Sequence, residues 1–147
     1  MARGNLVRNL PDSPFCPTSH RSCHVQPCHY TDSLQLKAQG SLGEHTVTGA
    51  LLGDGEIRIT SLDDFPINVP PIQNMLFTRH RDMPGIIGKI GSLLGSFNVN
   101  IASMQVGRKI VRGDAVMVLS LDDPLPEGIL DEIMKVPGIR DAYTVTL

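Results

Sequence analysis

The alternation of apolar and polar residues is clearest between residues 75 and 108. Met75–His80 mixes β-branched and large apolar residues with polar ones and predicts a strand. After a break at Arg81–Gly85, apolar residues recur every three or four positions, which predicts a helix with one apolar face; they are Ile86, Ile87, Ile90, Leu93, Leu94 and Phe97. Asn98–Asn100 then predicts a turn, and Ile101–Arg108 alternates as a second strand does. The pattern therefore predicts strand, loop, helix and strand in that order.

The residues that follow continue the same plan. Asp114–Leu121 is apolar on both faces and predicts a buried strand. Glu127–Lys135, entered through Pro124-Leu125-Pro126, predicts a helix with a buried stripe of Ile129, Leu130, Ile133 and Met134. Ile139–Leu147 predicts the last strand. The order βαββαβ is that of a ferredoxin-like α+β fold, with both helices on one face of a four-stranded antiparallel sheet. The other face, or one edge, is expected to take a partner.

Several short alternating segments precede this fold. Leu34–Gln39, His45–Leu52 and Glu56–Thr60 each alternate, and Gly53-Asp54-Gly55 is a hairpin signal. Phe65–Val69 is a last extended piece. The pattern predicts a small antiparallel sheet of three or four strands. A sheet of that size leaves an apolar face uncovered and is expected to need a partner.

The helix after Gly85 has two further features. Pro84 suits a helix start, and an acidic residue beside it, Asp82, suits the positive pole of the helix dipole. Gly88, Gly91 and Gly95 also share one side of this helix. Glycine is a poor helix former, so this stripe predicts close approach of another backbone, within the domain or across a dimer.

Residues 1–32 differ from the rest in composition. They hold four of the eleven prolines and all three cysteines, without a helical or strand period. Such a composition predicts a disordered extension. The alternative is a zinc site, but the spacing C-x6-C-x4-C, with no second pair of ligands, is unlike structural zinc motifs. Its candidate ligands are Cys16, His20, Cys23, His24, Cys28 and His29.

Composition and charge narrow the functional class. The 147 residues include 41% hydrophobic but only 4% aromatic residues and no Trp, so the core should be aliphatic. The net charge of −2 argues against nucleic-acid binding through phosphate neutralisation. No apolar run reaches the roughly 20 residues that span a bilayer. Without a signal sequence, and with cysteines only in the extension, a reducing, cytoplasmic location is expected.

No catalytic constellation is visible. The folded part has two histidines, His45 and His80, no cysteine, and no serine in a triad context. Gly85-x-x-Gly88-x-x-Gly91 lacks the spacing of a dinucleotide or P-loop motif. An RNA-binding sheet would need aromatic residues on its first and third strands, and only Phe77 is present. The acidic pair Asp122-Asp123 is more typical of a solvated cap than of a metal site.

The first loop is the candidate binding site. Amides at a helix start, here those of Gly85 and Ile86, can bind a carboxylate. The Asp82 carboxylate can pair with an ammonium group, and His80 and Asn100 offer hydrogen-bonding side chains. An α-amino acid carries this pair of charges. The residues alone leave open that Asp82 merely caps the helix and that Asn100 satisfies a turn.

His80-Arg81-Asp82-Met83-Pro84-Gly85 with Asn98-Val99-Asn100-Ile101 resembles the first-loop motif of ACT domains. More narrowly, residues 32–147 resemble the C-terminal end of the D-3-phosphoglycerate dehydrogenase family. The resemblance implies an ACT domain at 74–147 and, at 33–71, the closing strands of the intervening domain of the long form. It also implies L-serine binding at an interface between paired ACT domains, through His80, Asp82 and Asn100, with Gly85 in the backbone-amide wall.

The resemblance further implies feedback regulation of serine biosynthesis. The family's NAD-binding and catalytic parts have no counterpart in these residues, so we expect no cofactor and no activity on this chain itself, which would be a fragment or truncated copy. The expected partners are L-serine or another small amino acid and a second ACT domain, with no nucleic acid or membrane. Two alternatives remain: a module that only drives oligomerisation, and a full enzyme encoded by a longer reading frame.

Overall fold

In a computed structural model of the chain, residues 23–27, 32–40, 43–53 and 55–147 are described. The chain divides into two compact units, residues 1–64 and residues 65–147. Most of the predicted disordered extension, residues 1–32, and the side chains of its alternative zinc site lie outside the described residues. The described part gives one correction: the backbone of Cys23–Pro27 forms a strand, which the sequence pattern does not indicate.

The first unit contains four antiparallel strands. They are β1 (Cys23–Pro27), β2 (Ser33–Gly40), β3 (Gly43–Leu51) and β4 (Ile57–Leu62). Each strand pairs with the next along the chain, and a bulge shifts the register of β3 against β4 between Thr48 and Gly49. The three predicted alternating segments therefore form strands, with β1 in addition.

The second unit has the predicted ferredoxin-like order. Its elements are β5 (Phe65–Val69), β6 (Asn74–Arg81), α1 (Ile86–Ser96), β7 (Ile101–Arg108), β8 (Asp114–Leu121), α2 (Ile129–Met134) and β9 (Ile139–Thr146). Apart from β5, the strands form an antiparallel sheet in the order β7-β8-β6-β9. The βαββαβ plan is confirmed. The division of the chain into domains at 1–32, 33–71 and 74–147 stays a prediction.

The core lies between the sheet and its two helices. It is aliphatic, as the composition predicts, and its fully buried members are Leu76, Ile90, Leu94, Met117, Leu119, Ile129 and Ile133. The predicted apolar stripes are too wide at their edges, since Ile87 is 47% exposed and Phe97 40% exposed. Met134 at the end of α2 is also exposed. Only the centre of each stripe contacts the sheet.

Helix α1 begins at Ile86, where its apolar period begins, whereas α2 begins two residues later than predicted, at Ile129 instead of Glu127. Gly85 has φ of 86° and Gly128 has φ of 80°, and a left-handed residue cannot lie inside a right-handed helix. Pro84 therefore precedes α1 rather than opening it, and Glu127 precedes α2. No side chain of the described residues caps α1, and the first turn of α1 holds no acidic residue. The expectation that Asp82 serves the helix dipole is not supported by this arrangement.

The glycine stripe of α1 faces open space within the unit. A Cβ added to Gly88, Gly91 or Gly95 would meet nothing within 4 Å. The expectation of close backbone approach inside the domain is therefore wrong, because the opposite side of α1 provides the packing surface. Close approach across a dimer stays a prediction.

Strand β5 covers part of the helix-free face of the sheet. Phe65, Ile67 and Val69 are buried, and a Cβ on Gly107 would lie 2.3 Å from the Pro66 carbonyl oxygen. Gly107 is paired with Val116, which alternates with the core residues of β8. The sequence pattern groups Phe65–Val69 with the preceding strands and leaves this face to a partner. In the structure, the chain itself fills part of it.

The ring of Phe65 fixes a further point of contact. Lys109 Nζ lies 5.0 Å from the ring centroid and Arg79 Cζ lies 5.9 Å from it, distances typical of cation–π contacts.

Among the described residues no helix is long and apolar enough to cross a membrane.

The approach of β5 to Gly107 generates the first testable prediction. Gly107→Ala should lower the free energy of unfolding by about 1–3 kcal/mol, because the new methyl group overlaps backbone that cannot rotate away. Chemical denaturation of the full chain measures this. Gly53→Ala, whose Cβ meets nothing within 4 Å, is the control. Equal stability of the two variants would contradict the packing of β5 on β7.

Candidate functional site

The end of β6 and the loop after it are held from two sides. The Arg81 amide donates to the Gly138 carbonyl at 2.8 Å, and the Asp82 amide donates to the Gly113 carbonyl at 2.8 Å. Gly138 precedes β9 and Gly113 precedes β8, the two strands that flank β6. The loop that carries the predicted site residues is therefore fixed by backbone hydrogen bonds to both neighbours.

A pocket of about 340 Å³ opens beside this loop. Four of the five predicted site residues line it: His80, Asp82, Gly85 and Ile86. Its other lining side chains are cationic or apolar and include Arg108, Arg112, Met83, Ile87, Val106 and Val111. The volume lies at the small end of the range of about 300–1,000 Å³ for small-molecule sites. The pocket suits a small ligand that has both charged and apolar parts.

Asp82 is bound to the β7–β8 hairpin and does not cap the helix. Its Oδ2 accepts a hydrogen bond from Arg108 Nη1 at 2.8 Å and another from the Arg112 amide at 3.0 Å. The Arg112 amide and, next, the Arg108 side chain hold the pKa of the Asp82 carboxyl below its ordinary value. Asp82 is therefore an anion at neutral pH, and the reading of Asp82 as a helix cap is wrong.

His80 is fully buried and neutral. It lies on the helix side of β6 with 0% exposure, and neither ring nitrogen has a hydrogen-bond partner among the described residues. Burial lowers the pKa of His80, against smaller opposing effects of the Asp82 charge and the Thr78 backbone. The Thr78 backbone lies near the ring without the geometry of a hydrogen bond. His80 thus has one donor and one acceptor that no described residue uses, and both nitrogen atoms are buried.

The amides at the start of α1 are only partly available. The Ile86 amide donates to the Met83 carbonyl at 3.4 Å, a long turn bond, so the expectation that it is unpaired needs correction. The following amides, of Ile87 and Gly88, occupy the first turn, where an α-helix provides no internal acceptor. The open donors at this helix end therefore lie slightly further along the chain than predicted.

Asn100 lies outside the pocket. Its Nδ2 donates to Asp122 Oδ2 at 2.5 Å at the start of β7, whereas the pocket lies at the other end of that strand, beside Arg108. A strand rises about 3.3 Å per residue, so the separation along β7 is roughly 25 Å. Asn100 of the same chain cannot reach a ligand in the pocket.

Two pocket residues escape the sequence analysis. Arg108 and Arg112 are not among the predicted site residues, but Arg108 pairs with Asp82 and both line the pocket. Their position follows from the sheet order, since β7 and β6 run parallel on either side of β8 and end at the same edge. The parallel ends of these two strands are the signal that could have located Arg108. Among the described residues no group of three His, Cys, Asp or Glu could hold a metal ion.

Comparison with known proteins shows what the sequence of this chain is similar to. Residues 74–138 match the model of the ACT domain. The chain is 79% identical over 118 residues to D-3-phosphoglycerate dehydrogenase of Synechocystis sp., covering 80% of this chain and 21% of that protein. The corresponding enzyme of Bacillus subtilis is 36% identical over 118 residues, covering 80% and 22%. The chain spans about a fifth of the length of these relatives.

A relative with a different name shares the same region. The probable L-serine dehydratase beta chain of Bacillus subtilis is 33% identical over 113 residues, covering 77% of this chain and 51% of that protein. The shared region includes residues from both units, because its 113 residues exceed the length of the second unit, residues 65–147.

The buried neutral His80 predicts a pH dependence of stability. Its pKa is lowered in the folded state from an ordinary value of 6.5, so below that pH the unfolded chain binds more protons. Stability should therefore be full above about pH 6.5 and fall as the pH drops below it. Denaturant unfolding between pH 7.5 and 5 measures the slope.

The control for this titration is His80→Leu, which removes the buried ring and fills its space with an apolar group. The variant should lose that part of the pH dependence which His80 contributes. Acid sensitivity that is the same in both proteins would assign it to other groups.

Proposed function

Residues 74–138 belong to the ACT domain family, and the chain is related to the C-terminal region of D-3-phosphoglycerate dehydrogenase; on this premise we propose that it is a regulatory module that binds L-serine. The observation that carries the proposal is the pocket at the end of β6. It places an anionic carboxylate, a neutral imidazole and the amino end of a helix around one small cavity. These groups complement the charges of an α-amino acid.

Each predicted residue has a role in this proposal. Asp82 holds the ligand ammonium group through a charge-assisted hydrogen bond. The amides at the start of α1, at Gly85–Ile86 and just beyond, receive the carboxylate. His80, with both ring nitrogens unused, or Asn100 binds the side-chain hydroxyl. The low pKa of Asp82 supports its role, because the carboxylate remains charged throughout the neutral range.

Two kinds of relative support L-serine as the ligand. One is a dehydrogenase named for 3-phosphoglycerate and the other a dehydratase named for L-serine. A region shared by enzymes with different substrates is more readily explained by a common effector than by a common reaction. We infer that the effector is L-serine, an end product of the pathway that the resemblance implies for the dehydrogenase and the substrate named for the dehydratase.

The position of Asn100 indicates that the binding site would be formed by a dimer. In one chain it is roughly 25 Å from the pocket, so it can contribute to ligand binding only if a second copy supplies it. A two-fold dimer repeats each contact, which gives two equivalent sites, each with the first loop of one copy and Asn100 of the other. Ligand bound between copies favours one arrangement of the pair and would shift the population of the parent enzyme toward an inhibited state.

The proposal assigns catalysis to the rest of the parent enzyme. We infer that the chain by itself is not an enzyme, that NAD binds elsewhere in the dehydrogenase, and that neither nucleic acid nor membrane is a partner. A cytoplasmic location belongs to the same inference.

Substitution of the two polar ligands tests the site. Asp82→Ala and Asn100→Ala should each abolish saturable binding of L-serine by the full chain, measured by calorimetric titration with glycine and L-alanine as comparison ligands. Matched controls are Asp114→Ala, which also loses an ion pair with an arginine, and Asn68→Ala, an exposed residue of β5. Retained affinity in both test variants would refute the site.

A mixing experiment tests whether the site is shared. In a dimer of one Asp82→Ala chain and one Asn100→Ala chain, one site carries both substitutions and the other carries neither. Mixing the two inactive variants should therefore restore one intact site per mixed dimer. Absence of restoration, with mixed dimers shown by mass spectrometry, would refute a site shared between copies.

A second function is favoured by one observation. The glycine stripe of α1 is open, and Ile87 and Phe97 on the same helix are exposed. A module that only assembles the parent enzyme would use such a surface without any ligand. A folded dimer that binds no amino acid would favour this role over the first.

The open stripe generates its own prediction. Gly91→Ala should raise the thermal stability of the isolated subunit. Alanine is favoured over glycine in a helix by about 1 kcal/mol, and no described residue lies within 4 Å of the added Cβ outside the helix itself. If copies pack through the stripe, the same substitution should weaken self-association in sedimentation equilibrium. Unchanged association would exclude the stripe from the dimer interface.

A further inference from the structure

We propose that Arg108 is a specificity-determining residue of the pocket, which binds the ligand carboxylate while Asp82 binds the ammonium group. The inference rests on the proposed function and adds a requirement: the ligand must carry both charges. Arg108 would share the carboxylate with the amides of α1. The pocket would then select zwitterionic amino acids over amino alcohols, amides and esters of similar size.

The side chain of Arg108 has donors available for this role. It lines the pocket, its side chain is 52% exposed, and its one hydrogen bond in the described part of the chain runs from Nη1 to Asp82. A guanidinium has five N–H donors in a planar fork that matches a carboxylate. Arg108 can therefore hold Asp82 through one edge and receive a ligand carboxylate through another.

The two charged groups are pre-positioned by the backbone. Asp82 is fixed by its own amide, bonded to Gly113, and by the Arg112 amide. Arg108 follows Gly107, where β5 lies directly against β7. Because both groups are held before ligand arrives, little ordering is required on binding. An ion pair with an N–O distance of 2.8 Å presents adjacent opposite charges, the mirror of the pair on an α-amino acid.

A second arginine–aspartate ion pair of the same domain lies outside the pocket and allows a comparison. Arg140 Nη1 lies 2.8 Å from Asp114 Oδ2, and the Arg140 side chain is 53% exposed. Its length and the exposure of its arginine match those of the Arg108 pair, although Asp114 is 41% exposed and Asp82 20%. Neither Arg140 nor Asp114 lines the pocket. Arg140 is therefore the matched control for effects of charge and of ion-pair loss.

The experiment compares two ligands on three proteins. Full-length wild type, Arg108→Gln and Arg140→Gln are titrated by calorimetry with L-serine and with L-serinamide, which keeps the ammonium and hydroxyl groups but has no carboxylate. Arg108→Gln should weaken L-serine binding about tenfold or more, as expected for loss of a charged hydrogen bond, and leave L-serinamide binding unchanged. Arg140→Gln should change neither.

The ratio of the two effects separates a direct contact from an indirect one. An equal loss for both ligands would mean that Arg108 only positions Asp82, and would overturn the proposal. Unchanged L-serine binding by Arg108→Gln would overturn it too, while leaving serine binding itself intact. A wild-type chain that binds no amino acid would overturn the proposed function and this inference together.

Two further measurements keep the test decisive. Arg108→Lys retains the charge but not the fork, so it should recover part of the L-serine affinity if Arg108→Gln is poorly folded. If L-serinamide binds wild type too weakly for calorimetry, the side-chain N–H signal of Arg108 is followed by nuclear magnetic resonance. It should shift with L-serine and not with L-serinamide; no shift with saturating L-serine would refute the contact.

Discussion

Much of the site depends on how Asp82 is held. Its amide, its carboxylate and the amide before it tie the end of β6 to the residues preceding β8 and β9. These bonds turn a loop into a fixed wall and leave the helix end and His80 facing the same cavity. His80 remains neutral close to Asp82 because burial lowers its pKa more than the Asp82 charge raises it.

The sequence pattern predicted the helices and strands of the second unit, but not which residues of different elements contact each other. The periodicity of residues 86–97 located α1, and the alternation of β6 to β9 predicted the fold, because the spacing of apolar residues shows which face of an element is buried. The start of α2 was misplaced, since only the backbone shows that Gly128 is left-handed. Arg108 could not be assigned from spacing alone: its contact with Asp82 spans 26 positions and arises from the sheet order.

Two features show what the local pattern leaves out. Phe65–Val69 alternates like the strands before it, but only the structure shows that it also packs on β7, where Gly107 leaves room for its backbone. The stripe of Gly88, Gly91 and Gly95 suggests close packing, yet those positions face away from the sheet. A glycine in the sequence indicates that another backbone could approach that position, but it does not identify which element approaches, or whether any does.

The seating of β5 bears on where this domain begins as a transferable part. The family match begins at residue 74, but the compact unit begins at residue 65. A gene fusion joined at the family boundary would deliver the sheet without the strand that shields its helix-free face, and the bared valine, phenylalanine and methionine side chains would favour aggregation. Inheritance of the domain in different enzymes is therefore expected to carry the preceding strand with it, so that the heritable unit is larger than its recognisable sequence.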